Sequence, residues 1–317
     1  MDNVCHTLVG AALAQTGLKR RTRLGAATLM IGANFPDLDV LAVPFGRAID
    51  FRRGWTHGVL ALVVLPFVLT AAMLVWDRWR RRTREAGEPR AVPRELLLLS
   101  ALAILTHPTL DWTNSYGLRW LMPFDGRWFY GDALFIVDPW LLAVLGAGVS
   151  LARRRERGGA AHPWQPARVA VAVATVYVLA MLGLHERAES VARRELAGTG
   201  RAARALHVVP SPANPFRWQV IADDGARYWL GAVRPLAAAS PRVSLDGAPI
   251  EQRADDPAVV VAARTPAGRR FLDWARVPFY RVARGPEGAS VTITDLRYGA
   301  SVDIPVAGPR ASAATDR

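Results

Sequence analysis

His107 and Asp111 stand four residues apart in LTHPTLDWTN (105–114), at the end of an apolar run that begins at Leu96. On a helix this spacing puts an imidazole and a carboxylate on one face, one turn apart. Imidazole nitrogens and carboxylate oxygens together form the donor set of Zn²⁺, and also of Mn²⁺ or Fe²⁺. Two donors do not hold a cation, so others must arrive from elsewhere in the chain. The candidates are His6, Asp37 and Asp39 in NFPDLD (34–39), and His57 in RRGWTHG (52–58). Asp39, Arg53 and Asp132 are the candidate catalytic groups. Arg53 can clamp an anion in bidentate fashion or snorkel to lipid headgroups. Plainer readings exist for several of these. Thr56 can cap a helix that starts at His57, NFPDLD can be an Asx turn, and Asp138 before Pro139 has the form of a helix N-cap. Pro36 and Pro108, each beside a candidate ligand, are expected to bend or end their helices.

The segments that carry these groups are oily. Residues 58–76, 95–112, 133–151 and 167–184 are each long enough, at about 1.5 Å per residue, to serve as membrane spans. Two shorter apolar segments, 4–17 and 24–43, precede them. The first is only about 21 Å long as a helix, short for a hydrocarbon core of roughly 30 Å. Arginine clusters lie at 19–23 (KRRTR), 78–84 (RWRRRTR) and 153–157 (RRRER). Placing all three in the cytoplasm lets the spans alternate without conflict. His6, Asp37, Asp39, His57, His107, Asp111, Asp132 and Asp138 then gather at the opposite, outer face. Ionisable groups are kept near hydrocarbon mainly where they pair or work.

The chain of 317 residues has a formal charge of +13, and half of it is hydrophobic. In a soluble protein that charge would suggest nucleic acid. Here the arginines are accounted for by topology, and no nucleic-acid partner is expected. The single cysteine, Cys5, excludes an intrachain disulfide and reads as a small buried hydrophobe. MDNVC has no positive n-region, so no cleavable signal peptide is expected. His162, His185 and His207 lie outside the cluster and read as surface residues. From about residue 206 the pattern changes. FRWQVIADD (216–224), RYWLGAV (227–233), FLDWARVPFYRVAR (271–284) and ASVTITDLRYG (289–299) alternate apolar and polar residues between turn signals. The predicted architecture is an α-helical membrane bundle of four spans plus one or two short N-terminal helices, followed by a small antiparallel β domain. Its boundaries are 1–184 for the membrane domain, 185–205 for a helical stalk, 206–306 for an extracytoplasmic β domain and 307–317 for a disordered tail.

The pieces MDNVCH (1–6), NFPDLD, RRGWTHG, HPTLDWTNSYG (107–117) and GDALFIVDPW (131–140) resemble, in order, a bacterial inner-membrane family of LexA-regulated, metal-dependent hydrolases. One position departs from that family's pattern: Arg52 stands where a histidine usually precedes the Arg-Gly pair, which leaves this chain one candidate ligand fewer. The order His, Asp, His, then His-x-x-x-Asp is similar, more distantly, to zinc-dependent phospholipase C and the S1/P1 nucleases. On that likeness His6, Asp37, His57, His107 and Asp111 are metal ligands, and one or two divalent ions, zinc first, are the cofactor. The resemblance implies a multi-pass inner-membrane hydrolase that cleaves phosphoester bonds in an amphiphilic or lipid-linked substrate at the outer face. The competing expectation is a non-catalytic membrane scaffold with a structural metal site and a partner-binding β domain. Transport is a third class, disfavoured by the lack of an inverted repeat.

Overall fold

A computed structural model describes residues 1–45, 52–80, 90–198, 203–238, 242–245, 247–286 and 288–307. Of the expected tail, 307–317, Ala307 closes a strand, while residues 308–317, like residues 81–84 of the second arginine cluster, lie outside the described residues. By contacts the chain divides into one unit of Met1–Arg187 with Pro210–Arg217, and another of Ala188–Val209 with Trp218–Arg317.

The first unit is helical. Helix α1 (Asn3–Gln15) starts because the Asp2 carboxylate accepts from the Val4 and Cys5 amides. Cys5 is fully buried in it. Helix α2 (Gly25–Gly32) leads into a 3₁₀ segment, Phe35–Phe45. Three long helices follow: α3 (Val59–Arg80), α4 (Pro93–Trp112) and α5 (Pro139–Arg157). Helix α6 spans Gln165–Gly198. Small residues let α1, α2 and α4 approach closely. A Cβ added to Gly10 would lie 2.5 Å from the Leu29 carbonyl oxygen, and one added to Gly32 would lie 2.8 Å from the Ala103 Cβ. Leu69, Met73, Leu96 and Ile104 form one core cluster, and Ala14, Leu29, Leu99 and Ala103 another. This packing carries His6 on α1 and His107 on α4 toward one another.

Two of the four expected spans meet the requirements of length and apolarity. Among the described residues these are α3 and α6, and only 28% and 22% of their most apolar stretches are buried within the protein. Val63, Phe67, Val75, Val176 and Leu179 point outward, each about 60% exposed or more. An apolar surface of that extent belongs in lipid or against a partner. Helices α4 and α5 carry charges within their length, Arg94 and Glu95 in the one and Arg153–Arg157 in the other, and do not meet those requirements. Pro108 lies inside α4 and does not end it. The cost is one backbone hydrogen bond to the preceding turn.

The segment expected to span 133–151 becomes helical only at Pro139. Asp138 is the N-cap, accepting from the Leu141 amide at 2.9 Å and from the Tyr177 hydroxyl at 2.8 Å. Residues 131–134 instead run alongside the end of α4, where Gly131 donates to the Trp112 carbonyl and Ala133 and Leu134 to that of Thr113. An Asp138→Ala change should therefore cost about 2 kcal/mol, a cap plus a stranded hydroxyl. A lowered melting temperature with metal content unaltered is the expected result.

In the second unit one sheet has strand order β1 (Ala205–Ser211), β2 (Asn214–Asp223), β3 (Arg227–Val233), β4 (Val243–Leu245), with β5 (Ile250–Glu251) also paired to β3. The other sheet is an antiparallel meander of β6 (Pro278–Gly285), β7 (Gly288–Asp295) and β8 (Ala300–Ala307). Two helices not expected from the sequence lie between them, α7 (Pro257–Arg264) and α8 (Pro266–Trp274). Each follows a cap-proline pair, Asp256-Pro257 and Thr265-Pro266, whose side chains accept from Ala258 and Gly268. The strand expected over 271–284 thus begins as the last turn of α8 and becomes β only at Pro278.

A candidate metal centre at the end of helix α4

Four side chains from three regions of the first unit converge. One atom each from Asp37, His57, His107 and Asp111 lies within 4.8 Å of all the others. Asp37 comes from the 3₁₀ segment, His57 from the turn before α3, and His107 and Asp111 from the last turns of α4. His57, His107 and Asp111 are fully buried, and Asp37 is partly exposed.

The tautomers follow from the neighbours. His107 Nδ1 lies 2.6 Å from the Ala33 carbonyl oxygen. A carbonyl only accepts, so Nδ1 carries the proton and Nε2 presents a lone pair. His57 Nδ1 faces the Thr56 hydroxyl at 3.0 Å and Asp39 Oδ2 at 3.6 Å. With its proton on that side, its Nε2 also presents a lone pair. The two Nε2 atoms are 3.1 Å apart. Asp111 Oδ2 lies 3.4 and 3.3 Å from them and, though buried, makes no hydrogen bond. Asp37 Oδ1 is 3.8 and 3.6 Å from the same nitrogens. Two lone pairs and two carboxylate oxygens turned on one point fit a divalent cation by donor type.

Asp39 is not in the four-atom group. In a 3₁₀ turn of about three residues, positions two apart point different ways. Asp37 meets His57 at Nε2 while Asp39 meets it at Nδ1, and Asp39 Oδ2 also accepts from the Arg53 backbone amide at 2.7 Å. Such outer partners orient a ligand and raise its basicity. His6 also falls outside the group. Its ring stacks on His107 at 3.8 Å, and its Nε2 lies 3.3 Å from the other carboxylate oxygen, Asp111 Oδ1. The Met1 amine contacts that same oxygen. Asp132 is buried with φ 46° on the strip beside α4, and it too falls outside the four-atom group.

Arg53 is buried and held from several sides. Its Nη2 lies 3.1 Å from Asp111 Oδ1, its Nη1 donates to Asn114 Oδ1 and the Gly117 carbonyl, and its guanidinium lies 4.7 Å from the Tyr116 ring centre. Its φ of 52° is a left-handed conformation that non-glycine residues seldom adopt. The turn that carries it is clasped by residues after α4: Arg119 donates to the Arg53 carbonyl, and Val59 to that of Trp120. A Cβ on Gly58 would lie 2.4 Å from the Met122 carbonyl oxygen. Asn114 and Tyr116, which complete this shell, were not among the residues expected from the sequence. Their signal was position alone, three and five residues beyond Asp111 in one motif. The guanidinium of Arg52, at the departing position, lies 5.7 Å from the centre of the Tyr116 ring.

Apolar helices that turn their oily surface outward, together with a buried His/Asp cluster at one helix end, define a membrane protein with a candidate metal centre. Residues 1–188 match the family described as YdjM inner membrane protein, and the chain belongs to that family. A stretch of 114 residues is 25% identical to the uncharacterized protein YfhP of Bacillus subtilis (strain 168). It covers 35% of this chain and 32% of that protein, so the chain spans about a third of that relative's length. No solved structure matches.

Proposed function

We propose that the chain is a membrane-bound, metal-dependent hydrolase acting on phosphoester bonds of an amphiphilic substrate. The observation that carries this reading is the pair of imidazole lone pairs 3.1 Å apart with two carboxylate oxygens around them. Asp37, His57, His107 and Asp111 would hold the ion. A divalent cation there supplies Lewis-acid polarisation of a phosphoryl oxygen and acidifies a coordinated water. The chain's own groups prepare the site. Ala33 and Asp39 fix the two rings, and Arg53 holds Asp111 in position and balances its charge. Asp37, the partly exposed ligand, is the point of entry. Leu38, Val40 and Leu41, near it in sequence, and Trp55, two residues before His57, are 45–65% exposed, apolar surface that suits a substrate with a lipid tail.

A second reading has its own support. Four protein donors fill a tetrahedral ion completely, as in structural zinc sites, whereas catalytic zinc keeps a position open. Cobalt-loaded, detergent-purified protein separates the two. Turnover of phospholipid or lipid-phosphate vesicles, abolished by chelation and by His57→Ala, is the expected outcome, with a visible spectrum that shifts when inorganic phosphate is added. Stoichiometric cobalt whose spectrum ignores phosphate, with no turnover, would establish the structural role instead.

A further inference from the structure

Helices α5 and α6 of the first unit leave a groove whose lining includes none of the four metal-centre residues. It consists of two clefts of about 300 and about 730 Å³ that share Val144 and Val173, within the roughly 300–1,000 Å³ usual for ligand sites. Toward the start of α5 the walls are apolar, with Trp140, Leu141 and Ala174. At the other end they turn basic, with Arg155 and Arg168 flanking Gln165. From Trp140 to Arg155 the helix rises about 22 Å, more than the depth of one leaflet of a ~30 Å hydrocarbon core.

The basic end is ordered. Arg168 Nε donates to the Thr16 carbonyl at 3.0 Å, and its guanidinium lies 5.7 Å from the Trp164 ring centre. Arg20 stands 5.1 Å from the centre of the same ring. Arg155 donates to Gln165 Oε1 at 3.5 Å. Glu156, the nearby acid, pairs with Lys19 and faces Arg20 at 4.0 Å. Among the described residues no carboxylate lies within ion-pair distance of Arg155 or Arg168. Both are exposed. An apolar channel one leaflet deep, capped by two guanidiniums and a tryptophan, has the charge and polarity pattern of an anionic lipid in reverse. Basic pockets between membrane helices take such headgroups, and tryptophan marks the interfacial level.

We propose that this groove binds one anionic glycerophospholipid, its phosphate between Arg155 and Arg168 and an acyl chain along Val144 and Val173. Its basic end lies at the opposite end of α5 from Asp138, and the site does not depend on the hydrolase reading. Its occupant is a bound lipid, held whether or not the metal centre is catalytic.

The test uses the full chain, purified in detergent and stripped of lipid. Native mass spectrometry and thermal melts are run with phosphatidylglycerol and with phosphatidylcholine. The expected result is a phosphatidylglycerol adduct and a raised melting temperature, with phosphatidylcholine giving neither. The Arg155→Gln, Arg168→Gln double variant should bind about 30-fold more weakly, since each interfacial arginine contributes about fivefold. Val144→Trp, which fills the channel and leaves both arginines, should lose the adduct as well. Equal binding of the two lipids, undiminished binding in either variant, or a protein dimer that Val144→Trp dissociates would each overturn the proposal.

Discussion

The His107→Ala, Asp111→Ala double variant is expected to retain less than a tenth of the metal carried by the wild-type chain when both are purified alike and measured by elemental analysis. The change removes two of four donors, including the oxygen that lies buried without a hydrogen bond. A site with two ligands left competes poorly with water for a divalent ion. Loss of Asp111 also strands the buried Arg53 guanidinium, which costs about 3–5 kcal/mol. Single changes therefore separate coordination from folding. His107→Ala leaves the Asp111–Arg53 pair intact and should still lose most of the metal. Asp39→Asn keeps all four ligands yet weakens the charge behind His57, and should lower metal affinity about 10–100-fold. Metal content unchanged in the double variant would remove the centre from consideration, and with it the hydrolase.

The second large effect lies in the β-rich unit. Asp295→Ala should destabilise that unit by about 3–5 kcal/mol. The carboxylate is fully buried and accepts from Arg297 Nε at 2.9 Å, Arg297 Nη2 at 3.1 Å and the backbone amides of Arg276 at 2.8 Å and Arg297 at 2.9 Å. It fastens the start of β6 to the end of β7, while the Arg297 guanidinium lies against the rings of Trp274 and Tyr298 at 5.0 and 5.4 Å. Removing the acid leaves a buried cation and several amides without their acceptor. A lower urea midpoint and faster proteolysis within 218–307 are expected. Glu251→Ala, which removes an exposed partner of Arg253 at 3.9 Å, should change stability by less than about 0.5 kcal/mol. Equal midpoints for the two variants would show that the buried pair contributes little.

Much of this molecule can be read from residue order. The i, i+4 spacing of His107 and Asp111 is helical geometry, and both do face one cluster. Asp138-Pro139 announces a helix start, and α5 begins there. The same signal stands at Asp256-Pro257 and Thr265-Pro266, within the stretch predicted as a β domain, and a helix begins at each. Each of the four long apolar runs holds a helix, that of 133–151 only from Pro139, yet apolar length alone does not separate a span from a helix packed among others. Of the four, α3 and α6 keep most of their apolar surface turned outward.

What the sequence by itself determined is the inventory and the local geometry: which segments coil, where they start, and that imidazoles and carboxylates cluster toward one end of the helical unit. These follow from interactions within a few residues. Which atoms meet was decided only by tertiary structure. His107 turns its Nε2 inward because its Nδ1–H donates to the Ala33 carbonyl at the end of α2, and Asp37 rather than Asp39 joins it because a 3₁₀ turn aims the two apart. His6 ends beside Asp111 Oδ1, outside the four-atom group, because α1 stacks its ring on His107. Contacts between groups dozens of residues apart depend on how helices pack, and no spacing along the chain encodes them.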